Sequence, residues 1–398
     1  MATALTFEDR YRTVDEDRVL DTLLLLGWAF CDDTDHARTT AQEALDRWIE
    51  CGLGVRLDPT GRRFFDPVEV VHSLKHAGTV GRDDFWQNHY VTTSRQLVGD
   101  LAAKADGPVT LSLRRTYNFR NTSPGRAKRL RLALPLRDRC DFLDIRPHGP
   151  DHGATCVLGD GRLDVQVQPA AGEDVTIGAE ICFRPRPASD AANPPDRDLY
   201  LRPDEGLIKL SDPIAALARR LGGDAAPDIA VRAFWDFMID EFLSGPVHYD
   251  QIGIDAPLDW VLEARCCDCQ LGSAFFVALC RAHGIPARLV SGHFLYRRSP
   301  TLHYWSEVWL DNQGWASFDF MSWDLSMGGQ DPAWRDHFFG RVDARMITQC
   351  LPRAFTGSVG VTIPPTWRIL QTSRGDGVDI SLIGPDGTSI YNDHVAVS

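Results

Sequence analysis

Arg265-Cys-Cys-Asp-Cys269 opens the stretch of sequence that decides the fold of this chain. It continues Gln270-Leu-Gly-Ser-Ala-Phe-Phe-Val-Ala-Leu-Cys-Arg-Ala-His283, in which apolar residues recur at helical spacing and few positions are polar. This pattern predicts a buried α-helix. The helix should end at Gly284, because glycine can take a left-handed cap, and Pro286 cannot continue the hydrogen-bond ladder. We therefore expect Cys269 at the N-terminus of a buried helix.

The expected position of Cys269 favours chemistry at its sulfur. Unpaired backbone N–H groups and the helix dipole favour an anion at a helix N-terminus, which lowers the pKa of a thiol and offers donors to an oxyanion. A thiol at neutral pH is mostly protonated, so it needs a base, and the base needs a group that orients it. Cys269 is thus a candidate nucleophile. The alternative is a structural cysteine buried at the start of a helix.

A predicted strand downstream of this helix carries the candidate base. It reads Leu302-His-Tyr-Trp-Ser-Glu-Val-Trp-Leu310, and its side chains alternate between two faces. One face holds His303, Trp305, Glu307 and Trp309. His303 is the candidate general base, and the alternative is a strand histidine that backbone groups satisfy.

A second predicted strand carries the candidate orienting group. It runs from Trp315 to Phe320, after the turn Asp311-Asn-Gln-Gly314. Antiparallel pairing centred on residue 311 would set Asp319 directly opposite His303, whereas the glycine of the turn places the turn slightly later. The sequence therefore leaves the register open. Asp319 is the candidate that orients the imidazole, against the alternative of a solvated turn carboxylate.

Length, composition and charge limit the class of protein. At 398 residues, of which 43% are apolar, the chain can supply the cores of about two or three domains. The net charge of −13 argues against a nucleic-acid binder, whose surface would be basic. The run from Leu20 to Phe30 is about half the ~20 residues that span a bilayer, and no signal-peptide pattern precedes it. We expect a cytoplasmic protein that binds neither nucleic acid nor a membrane.

The cysteines are too sparse for a disulfide scaffold, at ten in 398 residues. Most stand among apolar neighbours, and we expect them to be buried. Cys266, Cys267 and Cys269 form a cluster that could hold zinc, because thiolates are good ligands. However, the first two are adjacent in sequence, and no second Cys/His pair follows at finger spacing. We expect no metal and no cofactor, and no calcium loop is visible.

The hydrophobic pattern changes along the chain. It has helical spacing at first, alternates with period two from about residue 91 to 183, and becomes rich in proline and polar residues over 184–195, which is typical of a linker. The predicted fold class is α+β. Its parts are a helical N-terminal segment (1–90), an antiparallel β-sandwich (91–190), a cysteine-containing core (200–339) and a β-rich C-terminal extension (340–398).

The core closely resembles the transglutaminase-like superfamily. The motifs that carry the resemblance are Cys269, Leu279-Cys-Arg281, Gly284-Ile-Pro-Ala-Arg288, His303-Tyr-Trp-Ser-Glu-Val308, Gly314-Trp315 and Asp319. The sandwich looks, more weakly, like the β N-terminal domain of bacterial members. The resemblance implies a papain-like core with a Cys-His-Asp triad, which maps onto Cys269, His303 and Asp319.

The resemblance also suggests residues around the triad. The family's oxyanion donors include the nucleophile's own N–H and an upstream side chain, for which the candidates here are Trp260, Trp235 and Tyr249. Trp305 and Glu307 are expected to shape the site, and Glu307 to pair with Arg288, whereas His293 is expected to be structural. One departure is Cys267, which stands two residues before the nucleophile where the family usually has glycine.

Three functions remain open from sequence. The first, which the resemblance favours, is an acyltransferase that takes an acyl group from an amide, ester or carrier-bound thioester and passes it to an amine. The second is a cysteine hydrolase, either protease or amidase, that uses water as the acceptor. The third is an inactive binding scaffold. The N-terminal helical segment is a candidate docking site for a carrier protein or a peptide substrate.

Overall fold

The computed structural model describes three packed units. It covers residues 2–6, 13–25, 34–66, 70, 107–119, 127–135, 140–149, 155–159, 161–185, 196–244, 252–253, 255–295, 302–320, 336, 338–340, 346–350, 368–374, 377–383 and 389–398. Each unit has its own cluster of buried apolar side chains. Within these residues, no helix is long and apolar enough to cross a bilayer.

The sequence predicted a helical N-terminal unit, but the structure combines two helices with a small sheet. The helices are α1 (Glu16–Leu25) and α2 (Thr34–Glu50), and the strands are β1 (Ala2–Ala4), β2 (Val14–Asp15), β3 (Val55–Leu57) and β4 (Arg63–Phe65), in the sheet order β1-β3-β4-β2. The strands are two or three residues long, too short to produce an alternating pattern in the sequence. A further predicted helix, 66–74, lies mostly outside the described residues.

The β-sandwich consists of two antiparallel sheets. Its strands before the linker are β5 (Val109–Asn118), β6 (Lys128–Ala133), β7 (Cys140–His148), β8 (Thr155–Gly159), β9 (Arg162–Val167) and β10 (Asp174–Pro185). One sheet has the order β6-β9-β8, and the other contains β5, β10 and β7. Alternate side chains, such as Leu113, Leu132 and Ile177, fill one core between the sheets. These strands thus form two antiparallel sheets that share one core.

The predicted C-terminal extension is part of this sandwich rather than an appendage. Strands β19 (Arg368–Arg374), β20 (Gly377–Ile383) and β21 (Ser389–Val397) extend the larger sheet, with β21 beside β5. Arg115 and Asp393 are directly paired across these two strands, and Nε of Arg115 donates to Asp393 at 2.6 Å. The sequence missed this because the two strands lie far apart along the chain.

The core unit builds a helical layer on a four-stranded sheet. Its helices are α3 (Arg197–Tyr200), α4 (Asp212–Gly222), α5 (Pro227–Glu241), α6 (Pro257–Ala264) and α7 (Cys269–Ala282). The sheet order is β17-β16-β15-β18, and its strands are β15 (Ala287–Phe294), β16 (Leu302–Leu310), β17 (Gly314–Phe318) and β18 (Met346–Cys350). Two short two-stranded sheets accompany it: β11 (Asp204–Glu205) with β12 (Ile208–Lys209), and β13 (Leu243–Ser244) with β14 (Cys266–Cys267).

Helix α7 is the central element of this unit, as its apolar sequence predicted. Every residue from Gln270 to Arg281 is buried. The C-terminal end of α7 is held by a buried ion pair, in which Arg281 lies 2.7 Å from Glu205. The helix ends before Gly284, whose φ of 80° requires a residue without a side-chain penalty in the left-handed region.

The core unit and the sandwich are in direct contact. Leu295, which follows β15, is buried among the apolar side chains of the sandwich core. Leu295 thus anchors the end of β15 to the sandwich, and because β15 pairs with β16, the sandwich helps to position the strand that carries His303.

Candidate active site

Cys269 is the first residue of α7, as predicted. The preceding residue, Asp268, caps the helix, and its carboxylate accepts a hydrogen bond of 2.8 Å from the N–H of Leu271. This cap satisfies one of the unpaired donors of the first turn and fixes where the helix begins. Cys269 is a free thiol and is half-buried.

The first turns of α7 meet β16 at Tyr304. Strand β17 pairs with β16 only as far as Ser306 and Phe318, so it supplies no partner at Tyr304. There α7 takes its place: the N–H of Tyr304 donates to the sulfur of Cys269, and its C=O accepts from Oγ of Ser273 at 3.3 Å. This contact brings the start of the helix beside His303, the residue before Tyr304.

His303 and Asp319 are hydrogen-bonded in the interior. The Nε2 atom of His303 lies 2.9 Å from Oδ1 of Asp319, and each residue is only 1% exposed. The structure settles the register that the sequence left open: the hairpin pairs Glu307 with Ser317 and is centred on residue 312, so the two residues are not directly opposite. Asp319 instead follows the end of β17 and reaches His303 diagonally. Diagonal neighbours on one face remain within reach of such side chains.

The expected lowering of the Cys269 pKa is not what the structure indicates. Cys269 is closely surrounded by protein atoms, and burial raises the pKa of its thiol well above the usual value; the carboxylates of Asp268 and Asp319 raise it further. The N–H groups of Tyr304 and Gln270 favour the thiolate and oppose this shift. Loss of hydration therefore outweighs the helix N-terminus, so the resting thiol is protonated and depends on a base.

The predicted neighbours of His303 lie on its face of the sheet. Trp305 is buried, and its ring is stacked on the imidazole, with 6.1 Å between the ring centroids. The predicted pairing of Glu307 is confirmed, because Nε of Arg288 donates to Glu307 at 2.7 Å. The Arg288 guanidinium also lies 3.9 Å from the ring centroid of Trp315. These contacts fix the positions of the side chains that flank the imidazole on this face.

The three candidates for an upstream oxyanion donor lie in different parts of the chain. Trp260 lies half-buried on α6 and packs against the same core cluster as Cys269. Trp235 packs in the core against Phe318 and Phe320, the residues that flank Asp319. Tyr249 lies outside the described residues. Trp235 thus supports the backbone around Asp319.

Ser273 and Ser306 also contribute to the site, and the sequence reasoning missed them. Ser306 donates from Oγ to the C=O of Ser273 at 3.0 Å, in addition to the bond from Ser273 to Tyr304. The available signal was the presence of small polar residues in a buried helix and in a buried strand.

The structure explains why Cys267 can stand where the family usually has glycine. It lies in the short strand β14, and among the described non-glycine residues only Arg265 has a positive φ, 54°. Position 267 therefore needs no glycine. Its sulfur instead fills the space above Gly272, where a Cβ would lie 2.8 Å away. Among the residues that the structure describes, Cys266, Cys267 and Cys269 form no metal-ligand group with each other or with neighbouring side chains.

Comparison with known proteins supports the resemblance. Residues 215–320 match the model of the transglutaminase-like superfamily, so this part of the chain is a transglutaminase-like domain. This range contains the whole cluster from Cys269 to Asp319. No curated protein matches the sequence significantly.

Several solved structures are distantly similar. One, provisionally described as a cysteine protease from Cytophaga hutchinsonii, has 14% identity and a TM-score of 0.47, over 73% of this chain and 91% of that one. The periplasmic domain of TgpA from Pseudomonas aeruginosa, bound to ethylmercury, has 19% identity and a TM-score of 0.30, over 60% and 94%. Red sea bream transglutaminase has 10% identity and a TM-score of 0.27, over 69% and 75%.

Proposed function

We propose that this protein is a cysteine acyltransferase that forms amide bonds, with Cys269 as nucleophile, His303 as general acid–base and Asp319 as the residue that orients the imidazole. The observation that carries the proposal is the buried 2.9 Å hydrogen bond between His303 and Asp319, next to the peptide group that contacts the Cys269 sulfur. A nucleophile, a base and an orienting group in one cluster are the requirements of covalent acyl transfer.

In the first half-reaction, the thiol proton passes from Cys269 to His303, and the sulfur attacks the carbonyl carbon of the acyl donor. Because Asp319 engages Nε2, the proton is carried by Nδ1. A C–S bond forms while the carbonyl π electrons move to oxygen. When these electrons return, the bond to the leaving group breaks, and the leaving group takes the proton from His303. An acyl-thioester remains on Cys269.

In the second half-reaction, an amine attacks the thioester carbonyl and loses a proton to His303. The C–S bond then breaks, the sulfur of Cys269 recovers the proton, and an amide is released. The raised pKa of the thiol suits both steps, since it requires proton transfer through His303 rather than a permanently ionised sulfur.

Transfer to an amine, rather than hydrolysis, is supported by burial of the catalytic groups. His303 and Asp319 are 1% exposed, and the buried Trp305 ring is stacked on the imidazole. Exclusion of water from these two groups limits their use in hydrolysis of the thioester, and a bound amine then has the advantage. The same residues would hydrolyse the thioester if water entered freely.

The proposed partners are an acyl donor, which is an amide, an ester or a carrier-bound thioester, and an amine. We also retain the proposals of a cytoplasmic location and of an N-terminal unit that docks a carrier protein or a peptide substrate. That unit has its own core. Its removal should raise KM for a carrier-bound or peptide donor without changing the reactivity of Cys269 toward small reagents. Unchanged kinetics with the large donor would remove the docking proposal.

Intact mass spectrometry with candidate amides, esters and acyl thioesters, with and without a primary amine, tests the function. We expect an acyl adduct on Cys269 that persists in water and is discharged as an amide when amine is added. Decay to the free acid at a rate independent of amine would instead identify a hydrolase. Absence of any adduct with every donor, together with labelling by acyl probes that does not depend on His303, would identify an inactive scaffold.

A further inference from the structure

Two serines hold the helix that carries Cys269 to the strand that carries His303. Ser273 is 2% exposed and Ser306 is fully buried, and each hydroxyl donates its hydrogen bond to the other element. Ser273 donates to the C=O of Tyr304 on β16, and Ser306 donates to the C=O of Ser273 on α7. Both hydroxyls therefore act between the helix and the strand.

The place of this contact is set by the end of β17. In an antiparallel sheet, the N–H and C=O of one residue point toward the same neighbouring strand. Pairing between β16 and β17 stops at Ser306, so at Tyr304 this side of β16 is available to α7. The N–H of Tyr304 reaches Cys269 and its C=O reaches Ser273, so one residue is held at both of its polar groups by the helix.

The separation of the two reacting side chains depends on this docking. Cys269 begins α7, and His303 is joined to Tyr304 by a single peptide bond. A shift of α7 along β16 would move the sulfur relative to the imidazole by the same amount. The remaining packing between α7 and the sheet is largely apolar, and apolar contacts tolerate small shifts better than hydrogen bonds do.

We propose that Ser273 and Ser306 are positioning residues, which hold the Tyr304 peptide groups against the first turns of α7 and thereby set the position of the Cys269 sulfur relative to His303. This inference rests on the proposed function. Ser273 acts through the C=O of Tyr304, and Ser306 acts through the C=O of Ser273. Alanine would pack equally well at either position and would avoid the free-energy cost of burying a hydroxyl.

Alkylation of Cys269 by iodoacetamide as a function of pH tests the proposal, with peptide mass spectrometry to separate this thiol from the other cysteines. Ser273→Ala and Ser306→Ala each remove one hydroxyl. Because the Tyr304 N–H then loses its alignment with the sulfur, we expect the alkylation rate near neutral pH to fall about three- to tenfold. The pH profile should shift upward by about half a unit to one unit. Ser306→Thr, which keeps the hydroxyl, should restore most of the rate.

Ser317→Ala is the matched control, because Ser317 is a buried serine (5% exposed) on β17 that pairs with Glu307 and lies outside the contact between Tyr304 and α7. It should leave the pH profile unchanged. A purely structural role of Ser273 and Ser306 would lower the melting temperature without shifting the profile, and an unshifted profile in either folded variant overturns the proposal. If Ser273→Ala does not fold, Ser306→Ala and Ser306→Thr decide the question.

Acylation experiments distinguish an error in the proposed function from an error in the positioning role of the serines. If acyl adducts still form in Cys269→Ala, or if acylation of the wild-type protein is unchanged by His303→Ala, the proposed function is wrong, whatever the serine variants do. If acylation requires Cys269 and His303 but the serine variants behave like wild type, only the positioning role is wrong.

Discussion

Nε2 of His303 lies 2.9 Å from Oδ1 of Asp319, across a hairpin whose register does not place the two residues opposite each other. Asp319 comes after the last paired residue of β17, where the strand has already left β16. The bond therefore depends on how the chain turns away at Phe318 and Phe320, both of which pack against Trp235. Core packing around the aspartate, more than strand pairing, aligns the imidazole.

Replacement of Asp319 by asparagine should reduce acyl-adduct formation on the order of 10²- to 10⁴-fold, because an amide can no longer stabilise the imidazolium and can favour the wrong tautomer. The rate of acyl-adduct formation with the best acyl donor can be measured by intact mass spectrometry of samples quenched at successive times. Asp311→Asn, at an exposed turn position of the same hairpin, is the control. A rate in Asp319→Asn within about threefold of wild type would contradict the assigned role.

Alkylation of Cys269 should become faster with increasing pH from about pH 7 to about pH 10, without a plateau at acidic pH. The reason is that burial raises the thiol pKa, so the reactive thiolate accumulates only under alkaline conditions. Exposed Cys51 provides an internal reference in the same digest. A rate that is already constant near pH 6 would instead mean that a thiolate–imidazolium pair exists at rest.

Gly272→Ala should destabilise the protein by about 1–3 kcal/mol, although alanine favours a helix, because its Cβ would lie 2.8 Å from the Cys267 sulfur. Cys267→Ala should relieve the conflict, so that the double variant is more stable than Gly272→Ala alone. Urea denaturation of the two single variants and the double variant forms a complete cycle. Simple additivity of the two changes would show that the sulfur does not restrict position 272.

Arg288→Met should cost about 3–5 kcal/mol of unfolding free energy, because it leaves the buried Glu307 carboxylate without its cation. Additional replacement of Glu307 by leucine should recover most of the loss. Lys209→Ala, which removes a partner of exposed Asp204, should cost less than about 1 kcal/mol. Equal effects at the two pairs in denaturant titrations would be inconsistent with the difference in burial.

Val395→Asp should unfold the sandwich, because Val395 is 1% exposed and β21 lies between β20 and β5 inside the sheet. A buried, unpaired carboxylate costs more than about 4 kcal/mol. Asn392→Asp, at an exposed position on the same strand, should be tolerated. If both variants melt like wild type, the C-terminal strands do not belong to the sandwich in solution.

The sequence predicted the elements of the site well because periodicity is a local property. The spacing of apolar residues and Gly284 predicted α7, and alternation placed His303 and Glu307 on one face. Alternation fixes which side chains share a face, but a slip of two residues preserves every face. The sequence therefore placed the side chains on the correct faces but left the register open, and the structure places the centre of the hairpin at residue 312.

The C-terminal strands show the same limit, which is that local alternation does not determine strand pairing. Their alternation predicted β-structure after residue 340, but nothing local indicates that β21 pairs with β5, because the two are separated by most of the chain. The short strands of the N-terminal unit were missed for the opposite reason, since two or three residues cannot display a period.

The sequence by itself determined that a cysteine starts a buried helix, that a histidine and an aspartate follow on neighbouring strands, and that this order resembles the transglutaminase-like core. Only the tertiary structure decided that α7 meets β16 at Tyr304, that Ser273 and Ser306 join them, and that the pKa of the Cys269 thiol is raised. Local patterns specify which side chains share an element and a face. Register, docking and desolvation depend on contacts between residues distant in sequence, and these exist only once the chain has folded.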